Sequence, residues 1–286
     1  MSWFDASFLR PIQRNWKTLR LAKKFAPYFR NSNEIARALS TEGTKKVDVS
    51  DWSQHLTLLG GTPLEVGVTD HIESSLKEIF VERIYTSGGF YHPMPGDCVV
   101  DLGAHIGLFS LYLLGIEPNL QIFAVEPSQD NYRRLKQHLE SLPPEAKVET
   151  YPLAIAGKDE VRELLKTRST QLRSLLFRAE VVERSQEFVS VAALETFLKD
   201  ILDRVPRIDF LKMDIEGAEA EAIESLSEST LDRIRAVAIE VHEAIKPGAL
   251  APIVRRLRDV GFYHIQQETV LGARKTTLVR ARKAEQ

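Results

Sequence analysis

The chain has 286 residues, of which 43% are hydrophobic, so it can bury a full core as one large domain or as one domain with a smaller appendage. Its net charge of -2 provides no global field for nucleic acid, and we expect no nucleic-acid partner. No charged leader opens the chain and no window approaches about 18 consecutive apolar residues, so we expect a soluble, cytoplasmic protein. The single cysteine, Cys98, is typical of core packing in a reducing compartment.

The N-terminal segment is strongly basic. Residues 6–33 contain lysines and arginines without a single acid, and Ile12, Trp16 and Leu19 recur at helical spacing. A helix of this kind can lie on an anionic membrane surface or dock a protein partner, and we keep both as candidate roles. Packing of its apolar stripe on its own domain is the commoner arrangement.

Polar residues at 41–50 indicate a linker after this segment. We therefore expect a helical extension over residues 1–46 and the main domain over residues 47–286. The first elements predicted in the main domain are a hairpin at 56–68, interrupted by glycines and a proline, and a helix at 74–85.

From residue 99 onward, strands and helices alternate, which predicts an α/β fold with a doubly wound parallel sheet and right-handed crossovers. We place strands near 98–102, 121–125, 147–151, 208–213 and 236–241, and helices near 107–115, 129–141, 194–204, 217–226 and 249–260. Two further strands, 262–270 and 276–280, are too close for a crossover helix and predict an antiparallel hairpin. Residues 157–188 are charged and irregular, and we interpret them as an insertion that covers the site.

A glycine turn follows the first of these strands, which ends in Asp101. A dinucleotide-binding turn would have a glycine where this chain has His105. The remaining Gly103 and Gly107 suit a cofactor that carries a nucleoside but no phosphates. The next strand leads to Glu126, 25 residues after Asp101, where a carboxylate can accept both ribose hydroxyls. S-adenosylmethionine fits this description.

A second group of charges follows the strand at 208–213, at the edge where open α/β sheets bind ligands. A helix N-terminus favours negative charge, and this alone would explain Glu216 and Glu219. It explains Lys212 and Asp214 poorly, so these residues indicate a site.

The strand at 236–241 carries Glu240 near its end and is followed by His242. An unpaired buried carboxylate is costly. Glu240 therefore either pairs with a cation such as Lys212 or serves the site.

The chain resembles the FkbM-type S-adenosylmethionine-dependent methyltransferases over roughly residues 75–245. The resemblance rests on Val-Asp-Leu-Gly-Ala-His-Ile-Gly at 100–107, Val-Glu-Pro at 125–127, Leu-Lys-Met-Asp-Ile-Glu-Gly-Ala-Glu at 211–219 and Ile-Glu-Val-His at 239–242. Most class I methyltransferases share the first two stretches, whereas the third is specific to this family. The resemblance implies a mostly parallel seven-stranded sheet with an antiparallel last strand, and O-methylation of a small molecule, a sugar or another glycan, or a natural product. The family usually has asparagine at the position of His105.

We assign cofactor binding to the glycine turn and to the strand ends beside it. The assigned residues are Asp101, Gly103, Ala104, His105, Gly107, Glu126, Pro127 and Asp214. In this assignment Glu126 anchors the ribose, Asp101 orders the methionine end and the two glycines shape the turn.

The residue that takes the acceptor's proton is sought among His242, Asp214, Glu216 and Lys212. Histidine needs no tuning near neutral pH, whereas carboxylates need a raised pKa and lysine must first lose its own proton. We assign no metal ligand, because a hydroxyl acceptor does not require metal. The carboxylates and His242 could nevertheless hold a divalent ion that acidifies the hydroxyl.

Two other functions stay open from the sequence. One is a nicotinamide-dependent oxidoreductase, which His105 and the C-terminal hairpin both disfavour. The other is a non-catalytic binding protein that keeps the fold and recruits partners through its basic N-terminal segment.

Overall fold

A computed structural model describes most of the chain. The described residues are 19–26, 28–30, 32–33, 35–36, 72–140, 146–164, 187–270 and 275–284. The chain divides into two compact units, Met1–Arg83 and Ile84–Gln286. The expected boundary between residues 46 and 47 and the expected hairpin at 56–68 lie outside the described residues. Within the described ranges, no helix combines the length and apolar character needed to cross a bilayer.

The N-terminal unit contains an aromatic cluster. Residues 19–25 are helical, and the rings of Phe25, Tyr28 and Phe29 lie 6.1, 4.9 and 5.3 Å from that of Phe80. This part of the basic segment therefore packs within its own unit. Leu19, at the end of the predicted apolar stripe, is 53% exposed, and the first eighteen residues are not described. Binding to a membrane or a partner stays a prediction.

The helix predicted at 74–85 begins earlier and ends earlier than expected. It starts as α1, Ile72–Leu76, and continues as a π-helical segment, Lys77–Glu82. It ends because Arg83 adopts a left-handed backbone with φ 56°, which the α-helical ladder does not accommodate.

The second unit is an α/β domain with ten strands among the described residues. The strands are β1 Cys98–Leu102, β2 Gln121–Val125, β3 Lys147–Tyr151, β4 Ala154–Ala156, β5 Glu160–Leu164, β6 Glu187–Ala193, β7 Phe210–Met213, β8 Ala236–His242, β9 His264–Thr269 and β10 Thr276–Arg282. The helices are α2 Leu108–Leu114, α3 Gln129–Glu140, α4 Leu194–Leu202, α5 Glu219–Ser225, α6 Glu228–Asp232 and α7 Leu250–Asp259.

Seven strands form the main sheet in the order β3-β2-β1-β7-β8-β10-β9. The pairs among β3, β2, β1, β7 and β8 are parallel, whereas β10 is antiparallel to both of its neighbours. This arrangement confirms the doubly wound sheet and the C-terminal hairpin. The central strands β1, β7 and β8 are buried along their whole length. Continuous burial is expected where helices cover both faces of a parallel sheet.

A small second sheet was not predicted. It has the order β4-β6-β5, with β5 antiparallel to β6, so residues 160–164 are a strand rather than part of an irregular insertion. The sequence does not indicate β5 as a strand, because three of its five residues are charged: Glu160, Arg162 and Glu163. The part of the expected insertion between residues 165 and 186 lies outside the described residues.

Candidate active site

The carboxyl ends of β1, β7 and β8 meet at one edge of the main sheet. The register pairs Asp101 of β1 with Lys212 of β7, and Met213 of β7 with Ile239 of β8. Asp214 and Glu240 are the next residues after this last pair. The edge therefore brings together charged residues from three strands, as the sequence predicted for its second group of charges.

The turn after β1 is shaped by packing against the protein itself. A Cβ atom built on Gly103, whose φ is 75°, would lie 1.8 Å from the backbone oxygen of Asp214. A Cβ on Gly107, whose φ is 90°, would lie 2.8 Å from a methyl carbon of Leu135 in α3. Gly103 is thus required by a close contact with backbone. A larger residue at Gly103 would therefore clash with the backbone of Asp214. Gly107 is required by its left-handed φ, because the Leu135 side chain can move aside.

Backbone hydrogen bonds fix the same turn to the end of β2. The N–H groups of Gly103 and Ala104 donate to the oxygen of Val125 at 3.0 and 2.8 Å. The carbonyl of Ile106 contacts Nδ1 of His138, a fully buried residue of α3, at 2.8 Å. The turn is therefore held in place before any ligand binds.

His105 has a left-handed backbone, with φ 53°. Asparagine and histidine are both enriched in this conformation relative to other residues with side chains. The backbone therefore accommodates His105 where the family usually has asparagine. Its N–H donates to Oε2 of Glu126 at 3.0 Å, which ties the turn to the second predicted cofactor residue.

Glu126 lies directly after β2 and is 6% exposed. Its carboxylate accepts hydrogen bonds from the backbone N–H groups of His105 and Ser128, each at 3.0 Å, and from Nδ2 of Asn131 at 3.3 Å. Pro127 and Ser128 directly precede α3. The expected ribose contact of Glu126 stays a prediction, and the observed contacts add a second role: this carboxylate organises the turn.

Asp101 and Lys212 form a buried ion pair beneath the turn. Asp101 is fully buried, accepts a hydrogen bond from Oγ of Ser110 at 2.8 Å and lies 3.3 Å from Nζ of Lys212. That ammonium also donates to the carbonyl of Gly103 at 2.7 Å. Burial lowers the pKa of Lys212, but the negative charges of Asp101 and Asp214 raise it by more, so the pKa is above its usual value. A lysine held in its charged form is poorly suited to be the base, and these contacts favour a positioning role.

His242, at the end of β8, is surrounded by carboxylates. Its Nδ1 donates to Oε1 of Glu219 at 2.8 Å, and its Nε2 lies 3.7 Å from Asp214 and 3.6 Å from Glu216. Burial lowers the pKa of His242, but Glu216, Glu219 and Asp214 together raise it well above its usual value. The imidazole therefore holds its proton near neutral pH. This removes the sequence-based reason for preferring histidine as a base that needs no tuning.

Two acids complete the group. Burial and the neighbouring Asp214 raise the pKa of Glu240 to about 7, while the hydroxyl of Tyr85 donates to its Oε1. Burial also raises the pKa of Glu216 well above its ordinary value, against the opposing effect of His242. Desolvation is expected to act this way when several carboxylates share one buried edge.

Sequence reasoning placed Glu219 in this group of charges but missed its contact with His242, and it missed Tyr85 altogether. Glu219 begins α5, is fully buried and also accepts the N–H of Gly217 at 2.8 Å. The preference of a helix N-terminus for negative charge explained why an acid stands at Glu219, but it did not indicate that Glu219 contacts His242. Tyr85 lies 155 positions from Glu240, and no local pattern joins the two.

Comparison with known proteins agrees with this geometry. The family model described as "Methyltransferase FkbM domain" matches residues 101–263, which is more than half of the chain. The chain is 26% identical to 31-O-demethyl-FK506 methyltransferase FkbM of Streptomyces tacrolimicus over 251 residues, covering 79% of this chain and 95% of the relative. It is also 26% identical to Methyltransferase 1 of Beauveria bassiana, covering 67% of this chain and 81% of the relative.

A third relative is much longer than this chain. The AMB antimetabolite synthetase AmbE of Pseudomonas aeruginosa is 28% identical over 218 residues, which cover 63% of this chain but only 10% of the synthetase. The similarity to AmbE thus concerns one part of a large protein. The matched family model and the seven-stranded sheet together identify the chain as a class I methyltransferase that belongs to the FkbM family.

Proposed function

We propose that this methyltransferase transfers a methyl group from S-adenosylmethionine to a hydroxyl oxygen of a small molecule, a sugar or a natural product. The observation that carries the proposal is the concentration of carboxylates beside the glycine turn. S-adenosylmethionine supplies an electrophilic methyl group on a positively charged sulfur. An acid-rich edge attracts such a cation and repels the pyrophosphate of a nicotinamide dinucleotide.

The turn itself supports the same choice of cofactor. Phosphate-binding turns present several free backbone N–H groups at a helix N-terminus. Here the N–H groups of Gly103, Ala104 and His105 are bonded to Val125 and Glu126. A cofactor without phosphates suits a turn whose donors are already used within the fold.

The proposed roles follow from position. Glu126 lies at the end of β2, where its carboxylate oxygens can accept ribose hydroxyls, and it holds the turn through His105. Asp214 lies directly after β7 with its side chain 26% exposed, so it can face the ammonium or sulfonium group. Asp101 acts through Ser110 and Lys212 because its own carboxylate is fully buried.

Methyl transfer to oxygen is an in-line displacement, so holding the oxygen against the methyl carbon can supply most of the rate. The hydroxyl proton must also leave. Glu216, Asp214 and His242 are the candidate groups at this edge, and His242 can accept a proton only after it has released its own. Oxygen as the target is supported by the relative from Streptomyces tacrolimicus, whose name refers to a 31-O-demethyl substrate.

The test is a turnover experiment with S-adenosylmethionine labelled in its methyl group and a panel of hydroxylated compounds that includes 31-O-demethyl-FK506, sugars and metabolite extracts. Mass spectrometry should find one compound that gains a single methyl group on oxygen, with an equal amount of S-adenosylhomocysteine. A methyl group found only on nitrogen or carbon would contradict the oxygen assignment. Binding of the cofactor without transfer to any compound would favour a binding protein.

A further inference from the structure

Three side chains at the carboxyl edge of the main sheet are arranged like metal ligands. A carboxylate oxygen of Asp214, a carboxylate oxygen of Glu240 and a ring nitrogen of His242 all lie within 4.8 Å of one another. Ligand atoms that surround a cation at about 2.0–2.4 Å are separated by no more than this, so small side-chain rotations suffice. Glu240 and His242 are two positions apart on β8 and therefore face the same side of the sheet.

The contacts of His242 support this interpretation. A histidine that binds a metal through one ring nitrogen almost always donates its other N–H to a carboxylate or a carbonyl. Nδ1 of His242 donates to Glu219 at 2.8 Å, and Glu219 is fully buried. Nε2 is thereby directed toward Asp214 and Glu216, which lie 3.7 and 3.6 Å away. Of these two, Asp214 also has an oxygen within 4.8 Å of Glu240. The hydroxyl of Tyr85 fixes Glu240 in the same manner.

The charge at this edge is also unbalanced. The described part of the edge holds five carboxylates, those of Asp101, Asp214, Glu216, Glu219 and Glu240. Lys212 lies 3.3 Å from Asp101 and 3.8 Å from Asp214, and protonated His242 is the second cation, so two cations face five carboxylates in this described part of the edge. Oε2 of Glu219 is buried and has no hydrogen-bond partner among the residues that the structure describes. Buried carboxylates in this excess require a bound cation or bound protons.

We propose that Asp214, Glu240 and Nε2 of His242 bind one divalent cation, with Glu219 orienting His242. The cation displaces the proton that Nε2 of His242 otherwise holds, and this proton is released to solvent. Two carboxylates suit Mn²⁺ or Mg²⁺, and the imidazole favours Mn²⁺ over Mg²⁺; such an ion keeps open positions for water or a substrate oxygen. The sequence-based alternative placed Glu216 in this set, whereas the geometry selects Glu240. The cation would hold the acceptor's oxygen beside the methyl donor, a role that rests on the proposed function, although binding of the cation does not.

The test is titration of the chelator-treated full chain with Mn²⁺, followed by electron paramagnetic resonance of the free ion. We expect one Mn²⁺ per chain, displaced by excess Mg²⁺. Asp214→Asn and Glu240→Gln should each weaken Mn²⁺ binding at least tenfold, and Glu219→Gln should weaken it by a similar factor through His242. Glu243→Gln, which changes the next carboxylate along the chain outside the cluster, should leave the affinity unchanged.

Each variant is checked by circular dichroism, and the Mn²⁺-dependent rise in Tm serves as a second measure of binding. Wild-type protein that retains no Mn²⁺, or Asp214→Asn and Glu240→Gln variants that bind as wild type, would overturn the proposal and indicate that protons neutralise the edge. Affinity for S-adenosylmethionine is measured separately on the same samples. Loss of cofactor binding with Mn²⁺ binding intact would reject the proposed function and leave the metal site standing.

Discussion

Replacement of Gly103 by alanine should disrupt the site far more than its small size suggests. The new Cβ atom would lie 1.8 Å from the backbone oxygen of Asp214, and the two must separate to at least 3.0 Å. This shift strains two hydrogen bonds, Asp214 N–H to Leu102 at 3.0 Å and Lys212 to Gly103 at 2.7 Å. Their loss costs about 3 kcal/mol. The left-handed backbone adds about 1–2 kcal/mol for a residue with a side chain.

Gly96→Ala provides the matched control. Gly96 has a similar φ of 86°, but a Cβ there meets nothing within 4 Å. It should therefore cost only the backbone strain of about 1–2 kcal/mol. Urea unfolding followed by circular dichroism measures both variants. Equal free energies of unfolding for Gly103→Ala and Gly96→Ala would refute the packing of the turn against β7. If only Gly103→Ala fails to fold, the destabilisation is larger than estimated and the packing is supported.

Three more predictions follow from single residues. Glu126→Gln puts an amide where a carboxylate accepts two backbone N–H groups. The affinity for S-adenosylmethionine, measured by calorimetry, should therefore fall at least about tenfold, while the control Glu117→Gln should bind it as wild type does. Burial and Asp209 raise the pKa of Cys98 to about 12, so at about pH 8 its thiol should react with a maleimide only after unfolding; rapid labelling of native protein would contradict this. Burial raises the pKa of Glu195, but the hydrogen bonds from Lys199 and the Ser227 N–H lower it by more, so that the pKa is about 2. Its contribution to stability is thus present above about pH 4.3 and lost as the pH falls toward about 2, and wild type should lose about 2 kcal/mol more than Glu195→Gln over that range.

The sequence was sufficient for the main sheet because burial there follows simple patterns. Strands β1, β2 and β3 coincide with the predicted ranges. The first two are mostly apolar runs that lead into the glycine turn and Glu126, whereas β3 alternates its charged residues, Lys147 and Glu149, with uncharged ones. The helix α6, Glu228–Asp232, was not predicted, because five residues are too few to show a helical period. The small sheet was not predicted for a related reason, because β4 has only three residues.

The site was predicted less completely than the fold. The strand ends correctly placed Asp214, Glu216 and His242 in one region, because parallel strands share a carboxyl edge. Which side chains touch depends on register and on helix placement, and these determine that Glu219 contacts His242. The role of Lys212 changed for the same reason: its partner at 2.7 Å is a backbone carbonyl of the glycine turn, which residue type alone does not indicate.

The central claim is that the glycine turn and the acid-rich edge form a site for S-adenosylmethionine. Isothermal titration calorimetry of the purified chain with S-adenosylmethionine, S-adenosylhomocysteine and NAD tests it most directly. The account predicts saturable binding of both adenosyl ligands at one site per chain and no heat from NAD. Binding of NAD without either adenosyl ligand, or no binding of any of the three, would contradict it.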